Sequence, residues 1–155
     1  MKKTLKWIGI ILVVLLVTIQ AVRPARTNPT VDESQTISVN ATVSPEVAAI
    51  LERACIDCHS SKTTWPWYSE VAPVSWFLAD HVNDARKELS LSDWGTYDSK
   101  KKARKLKEIC EEVEQGGMPL TSYLLLHPAA RLSDSDKQTL CEWTRQETER
   151  LPASQ

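Results

Sequence analysis

The chain has 155 residues, with 19 basic and 20 acidic side chains, and 42% of its residues are hydrophobic. The nearly balanced charge lacks the basic excess typical of nucleic-acid-binding proteins, so we expect no nucleic-acid partner. Only four residues are glycine, and the many Leu, Ala, Glu and Lys residues favour helices. Once the N-terminal segment is set aside, about 110 residues remain, which is enough for a single small core.

The N-terminus begins with three lysines, followed by an apolar stretch from Trp7 to Val22 and then by Arg23 and Arg26. The stretch is intermediate in length between the core of a signal peptide and a membrane span. We expect residues 1–26 to form an uncleaved signal-anchor helix, in preference to a cleaved signal peptide. Both interpretations place the rest of the chain at the extracytoplasmic, periplasmic side of the cytoplasmic membrane, where a single-pass anchor would hold it.

Residues 27–43 are polar and lack helical periodicity, which predicts a flexible tether. A domain is expected over residues 44–155. It begins with Ser44-Pro45, a capping side chain followed by a proline at the first helical position. The apolar positions that follow have helical spacing and include Cys55 and Cys58, so both cysteines are expected to extend the stripe of this first helix.

Three further helices are predicted in the domain. The second begins near Pro73, and the third runs from about Ser99 to Gln115 and is ended by two glycines. Ser133 caps the last helix, and Asp136 three residues later completes a weak capping box. The basic run in the third helix, residues 100–107, is interpreted as a solvated face. The expected architecture is a compact all-α domain of about four helices with long loops, preceded by one membrane helix.

Residues 55–59 read Cys-Ile-Asp-Cys-His, the C-x-x-C-H pattern of c-type haem attachment. Two cysteines one helical turn apart can form thioethers with the two vinyl groups of a porphyrin. The adjacent imidazole of His59 can then reach the iron from the same side. The motif therefore predicts one covalently bound haem c, held through Cys55 and Cys58 with His59 as an iron ligand.

Other kinds of site use a similar spacing. A redox-active cysteine pair normally begins a helix, where the helix N-terminus lowers the thiol pKa, whereas this pair ends one. A zinc site needs two more ligands at close spacing, but Cys110 and Cys141 are solitary and far apart in sequence. A disulfide between Cys55 and Cys58 would be strained. Haem attachment is the favoured interpretation.

The second axial ligand is predicted to be Met118, which follows two glycines that permit close backbone approach and precedes a proline that stiffens the loop. A gap-filling core methionine is the alternative role. His81, on the apolar face of the second helix, is the alternative ligand, and His127 is the third candidate. Coordination by His and Met would raise the reduction potential relative to two histidines.

Cys110 and Cys141 lie on the inward faces of the third and fourth predicted helices. In an oxidising compartment two such cysteines can form a disulfide, which we favour slightly over two buried free thiols.

With these residues considered together, the chain resembles the bacterial haem-binding domain family, short and often membrane-anchored proteins that carry one C-x-x-C-H. The resemblance covers about residues 45–143 and implies a fold similar to small cytochromes c, with covalent haem on Cys55 and Cys58, His59 as the proximal ligand and Met118 as the distal one. Cys110 and Cys141 depart from the usual pattern of the family. The resemblance depends on residues 55–60, 65–69, 71–76, 80–82, 91–94, 112–113, 117–120, 123 and 127–128, which include His81 and His127.

Three functions are compatible with these features. The favoured one is a monohaem electron carrier, not an enzyme, that exchanges single electrons with other redox proteins at the outer face of the cytoplasmic membrane. The alternative is a haem-based sensor or peroxidase-like protein with an open or displaceable distal site. A purely structural haem is the third possibility.

Overall fold

A computed structural model describes residues 1–152, and within that range every regular element is helical. This confirms the predicted all-α class. Short 3₁₀ turns cover Glu33–Gln35, Trp67–Glu70, Trp94–Thr96 and Pro128–Ala130. The α-helices of the described residues are α1 (Lys2–Ile19), α2 (Ile37–Asn40), α3 (Pro45–Ala54), α4 (Ile56–His59), α5 (Val74–Glu88), α6 (Ser99–Gln115), α7 (Thr121–Leu124) and α8 (Asp134–Arg150).

The four helices predicted from the sequence are α3, α5, α6 and α8. Their ends carry the expected capping groups, because these interactions are local. The Ser44 hydroxyl accepts the Val47 N–H at the start of α3. Ser133 and Asp136 form a complete capping box at the start of α8. Gly116 ends α6 at a φ of +73°, in the left-handed region that a side chain would disfavour.

A single apolar core holds these helices together. Trp94, Leu106 and Leu140 are fully buried at its centre, and Val47, Leu51 and Trp143 complete much of the surrounding layer. Helix α6 packs along α8, α3 contacts both α8 and α4, and α4 packs against α5. The short helix α4, which carries the Cys-His motif, therefore lies between α3 and α5.

The predicted N-terminal membrane helix is wrong. No helix within residues 1–152 is both long enough and apolar enough to cross a bilayer. Helix α1 has 18 residues, but lysines occupy positions 2, 3 and 6. The apolar remainder, Trp7–Ile19, spans about 20 Å at 1.5 Å per residue, whereas a hydrocarbon core is about 30 Å thick. The single-pass anchor, and the location at the cytoplasmic membrane that was inferred from it, are therefore contradicted.

The last residues of the apolar stretch contact the folded domain instead of extending the helix. The Gln20 side chain exchanges two hydrogen bonds with the backbone of Ala72, at 2.9 and 3.0 Å. The indole N–H of Trp76 donates to the carbonyl oxygen of Val22 at 2.7 Å. Arg26 forms an ion pair with Glu70. These contacts attach the segment that follows α1 to the folded domain.

The division of the chain at residues 26 and 43 stays a prediction, and residues 153–155, the end of the predicted domain, lie outside the described residues. Part of the segment 27–43 lies against the domain. Ile37 is 5% exposed and belongs to the core. The Trp143 indole N–H donates to the carbonyl oxygen of Thr42 at 3.0 Å.

A disulfide joins Cys110 of α6 to Cys141 of α8. The bridge links two cysteines 31 positions apart and connects the two longest helices of the domain. Because α6 also forms a wall of the cavity described below, the bridge restrains one side of that cavity.

Replacing both bridged cysteines by serine should lower the free energy of unfolding by about 3–4 kcal/mol, since closing a loop of this length removes entropy from the unfolded chain. Urea denaturation followed by circular dichroism measures the change. Wild-type protein treated with a thiol reductant is the matched control and should unfold at the same urea concentration as the double variant. Equal stability of the oxidised wild type and the double variant would contradict the assignment.

Candidate functional site

The Cys-His motif lies at a break between two helices. Helix α3 ends at Ala54, and Cys55 has φ −125° and ψ −42°, outside the helical region. Helix α4 then begins at Ile56, with the His59 N–H bonded to the Cys55 carbonyl oxygen at 2.8 Å. The expectation that both cysteines continue the stripe of α3 is therefore wrong. The break starts a new helical turn in which residues i and i+4, Cys55 and His59, lie on one side.

The imidazole of His59 is oriented by the C-terminal end of α5. Its Nδ1 lies 3.1 Å from the carbonyl oxygens of both Ala85 and Leu89. Carbonyl oxygens only accept hydrogen bonds, so Nδ1 carries the proton and Nε2 keeps its lone pair. Burial lowers the pKa of His59 and outweighs the two backbone hydrogen bonds, which act in the opposite direction. The ring is thus neutral near pH 7, with Nε2 available to a metal.

A cavity of about 460 Å³ lies beside this ring. Its wall is mainly apolar and includes Leu51, Leu89, Ile109 and Val113. Cys55, His59 and Met118 line the same cavity. Charged side chains occur at its α5 and α6 walls, namely Glu88, Lys105, Glu108 and Glu112. The volume falls within the range of about 300–1,000 Å³ that is usual for cofactor sites.

Met118 reaches the cavity through the C-terminal cap of α6. The N–H groups of Gly117 and Met118 both donate to the Glu112 carbonyl oxygen, at 2.9 and 3.2 Å. The left-handed backbone of Gly116 allows this reversal. The two glycines that drew attention to this loop in the sequence do form a tight turn before Met118. The structure places Met118 and His59 in the same cavity.

The other two candidate ligands occupy different surroundings. His81 donates from Nδ1 to the Phe77 carbonyl oxygen at 2.8 Å, and its ring lies against the Phe77 ring with 4.2 Å between centroids. His127 stacks on Tyr123 at 4.2 Å, and its Nε2 lies 2.7 Å from the Tyr68 hydroxyl. Neither histidine is among the side chains that line the cavity.

Cys58 lies outside the lining of the cavity, in a turn that polar side chains hold in place. Asp57 accepts hydrogen bonds from the Thr64 N–H and from the Tyr123 hydroxyl, both at 3.0 Å. On the other side of the motif, the Arg86 guanidinium donates to the Ser60 carbonyl oxygen at 2.7 Å. These contacts fix the backbone on either side of Cys58 and His59.

Sequence reasoning missed three of these groups. The hydrogen bonds Asp57–Tyr123 and Arg86–Ser60 join residues that are distant in the chain, so a local sequence pattern does not predict them. Lys105 was interpreted as part of a solvated basic face. A signal was present, because Lys105 lies four residues before Ile109 and so shares the inward side of α6.

The motif thiols are not activated. Burial is the main cause that raises the pKa of Cys55 to about 12 and of Cys58 to about 11. The neighbouring Cys58 further raises the pKa of Cys55, and the Asp57 carboxylate further raises the pKa of Cys58. A redox-active cysteine pair requires the opposite, a lowered thiol pKa.

Comparison with known families decides among the remaining interpretations. A family described as "haem-binding domain" matches residues 14–146, which is most of the chain. The chain belongs to the haem-binding domain family. No curated protein and no solved structure matches the sequence. Membership confirms the resemblance predicted from the sequence and establishes a haem-binding protein.

The cavity of this haem-binding domain fits the group that the family name implies. An imidazole with a free Nε2 is a common iron ligand, and a hydrogen bond from its other nitrogen to a backbone carbonyl is typical of ligating histidines. The apolar wall suits a porphyrin face. None of Trp65, Trp67, Trp76, Trp94 and Trp143 is among the residues that line the cavity.

The raised pKa values predict slow alkylation of the motif cysteines in the chain without haem. At pH 8.5 about half of an ordinary thiol is ionised, but only on the order of 0.3% of a thiol whose pKa is near 11. Reaction of Cys58 with iodoacetamide, followed by mass spectrometry, should therefore be on the order of 100-fold slower than that of an unperturbed cysteine. The rate should rise with pH up to about 11. Protein in concentrated urea serves as the control, and equal rates with and without urea would contradict the burial of these thiols.

Proposed function

We propose that this haem-binding domain is a monohaem c-type cytochrome that carries single electrons between other redox proteins and has no catalytic role. In this proposal thioethers join the haem to Cys55 and Cys58, and Nε2 of His59 binds the iron. The observation that carries the proposal is the fixed orientation of the His59 ring, which presents a lone pair beside a large apolar cavity that Cys55 also lines.

Covalent attachment is supported by the local geometry of α4. Cys55 and His59 share one side of a single helical turn, so a porphyrin bonded to the cysteine brings its centre toward the imidazole. Both motif cysteines are free thiols, as thioether formation requires. Cys58 lies outside the cavity lining, so its bond to the haem requires an adjustment of the turn around Asp57.

One haem is proposed because the sequence carries one C-x-x-C-H motif, and within residues 1–152 Cys55 and His59 line the same cavity of about 460 Å³. The second cavity within the described residues has a volume of about 200 Å³ and lies between α2, α3 and the Leu91–Ser92 segment. Its lining includes neither histidine nor cysteine. It therefore lacks both the volume and the ligands for a second haem.

Electron transfer is supported by the second candidate ligand. Met118 lines the same cavity as His59, so its sulfur would be the second protein group to hold the iron. When bound, the haem iron supplies the one-electron chemistry, and the protein supplies its ligands and its apolar surroundings. Two protein ligands would leave no axial position open to an external molecule, which suits a carrier better than a sensor or a peroxidase.

Attachment is tested by the intact mass of the denatured full-length chain, produced with the c-type maturation machinery. We expect a gain of one haem in the wild type and none when Cys55 and Cys58 are both replaced by serine, because the thioethers need these sulfurs. The variant with Cys110 and Cys141 both replaced is the matched control and should keep the haem. Extraction of the haem colour from the wild type by acidified acetone would contradict covalent attachment.

The axial ligand is tested by Met118→Ala in the haem-loaded protein. The substitution should abolish the weak far-red sulfur-to-iron charge-transfer band and lower the reduction potential, because thioether coordination favours the ferrous state. His81→Ala and His127→Ala are the controls and should leave the band in place. Absence of the band from the wild type, together with high-spin ferric iron that binds cyanide rapidly, would support the sensor or peroxidase-like alternative instead.

A further inference from the structure

Lys105 is an unusual member of the cavity wall. The residue is 7% exposed, although lysine is among the side chains least often buried, and it lines the same cavity as His59 and Met118. A buried ammonium group is costly unless a negative charge accompanies it. We therefore expect a negatively charged group beside the Lys105 ammonium group.

The partners that the chain itself provides are incomplete. The Lys105 Nζ lies 2.6 Å from a Glu108 carboxylate oxygen and 3.6 Å from one of Glu88. The side chains of these glutamates are 41% and 80% exposed, whereas that of Lys105 is 9% exposed. An exposed glutamate held at the longer distance gains little from the pair, because water solvates it nearly as well. The ammonium can therefore accept another anion in place of Glu88.

Haem brings such an anion. Its two propionates lie on the edge of the porphyrin opposite the two vinyl groups, and the vinyl edge is the one directed at the cysteines. Cys55 belongs to the junction of α3 and α4, while Lys105 belongs to the α6 wall of the same cavity. Within the cavity lining, Lys105 is the only lysine or arginine among the described residues. A propionate that enters the cavity finds no other cationic side chain on its wall.

We propose that Lys105 binds a haem propionate and makes the site select porphyrins that carry a free carboxylate on that edge. The proposal rests on the proposed haem site, whose other determinants are His59 and the two motif cysteines. Three glutamates near the same wall, Glu88, Glu108 and Glu112, would repel the carboxylate if the ammonium were absent. The selectivity therefore depends on this one side chain.

The test uses the full-length chain produced without haem and two iron porphyrins with ethyl groups in place of vinyls, so that no thioether forms. Iron mesoporphyrin carries free propionates, and its dimethyl ester carries none. Affinities are measured by Soret-band titration in the same dilute detergent. We expect the wild type to bind the free acid at least tenfold more tightly than the ester. Lys105→Met, which keeps the aliphatic stem, should lose this preference, and Lys105→Arg should restore most of it.

Lys107→Met is the matched control. Lys107 lies on the same helix, but its side chain is 74% exposed and pairs with Glu111, so its removal should leave the preference unchanged. Equal affinity of the wild type for the two porphyrins would overturn the proposal, and this comparison does not depend on whether a variant folds. An unchanged preference in a folded Lys105→Met would also overturn it. Failure of the wild type to bind either porphyrin would count instead against the haem site itself.

A second measurement uses the haem-loaded protein. Without the ammonium group, the negative charge of the propionate is no longer neutralised. A negative charge near the iron disfavours the additional electron of the ferrous state. The reduction potential of Lys105→Met should therefore be lower than that of the wild type, while that of Lys107→Met should be the same. Equal potentials in all three proteins would contradict contact between Lys105 and the haem.

Discussion

The hydrogen bonds from Nδ1 of His59 to the carbonyl oxygens of Ala85 and Leu89 are the interaction on which the site depends. The Ala85 carbonyl oxygen already accepts the Leu89 N–H at 2.9 Å, and the histidine ring from another segment adds a second donor to it and a donor to the Leu89 carbonyl oxygen. The same bonds fix the tautomer and the direction of the ring, so that Nε2 keeps the lone pair. The end of α5 thus orients the candidate iron ligand without supplying a ligand of its own.

The surrounding helices convert this local contact into a cavity. Helix α4 presents His59 and Cys55 to one side, and α6 forms the opposing wall and leads through its glycine cap to Met118. The disulfide between α6 and α8 restrains that wall from behind. Because α6 carries both Lys105 and the approach to Met118, its position relative to α4 sets the positions of the charged and apolar groups on that wall of the cavity.

Much of the fold was predictable because it depends on neighbours in sequence. The caps at Ser44, Gly116 and Ser133 involve residues within a few positions, and the helices they delimit were placed correctly. The predictions that were wrong, or that missed a contact, involve residues distant in the chain. The break at Cys55 accompanies the packing of α4 on α5, and Gln20, the residue that follows α1, forms hydrogen bonds with Ala72. Lys105 is different, because its spacing of four residues from Ile109 already indicated the inward side of α6. Membership of the haem-binding domain family was predictable, because its motifs are recognised in the sequence without knowledge of the fold.

The tautomer of His59 in the chain without haem tests the central claim most directly. Long-range ¹H–¹⁵N correlation spectra distinguish the two neutral tautomers and the imidazolium. The account predicts a neutral ring at pH 7 that is protonated on Nδ1, because that nitrogen faces two carbonyl oxygens and burial lowers the pKa. A ring protonated on Nε2, or a charged imidazolium at pH 7, would contradict it.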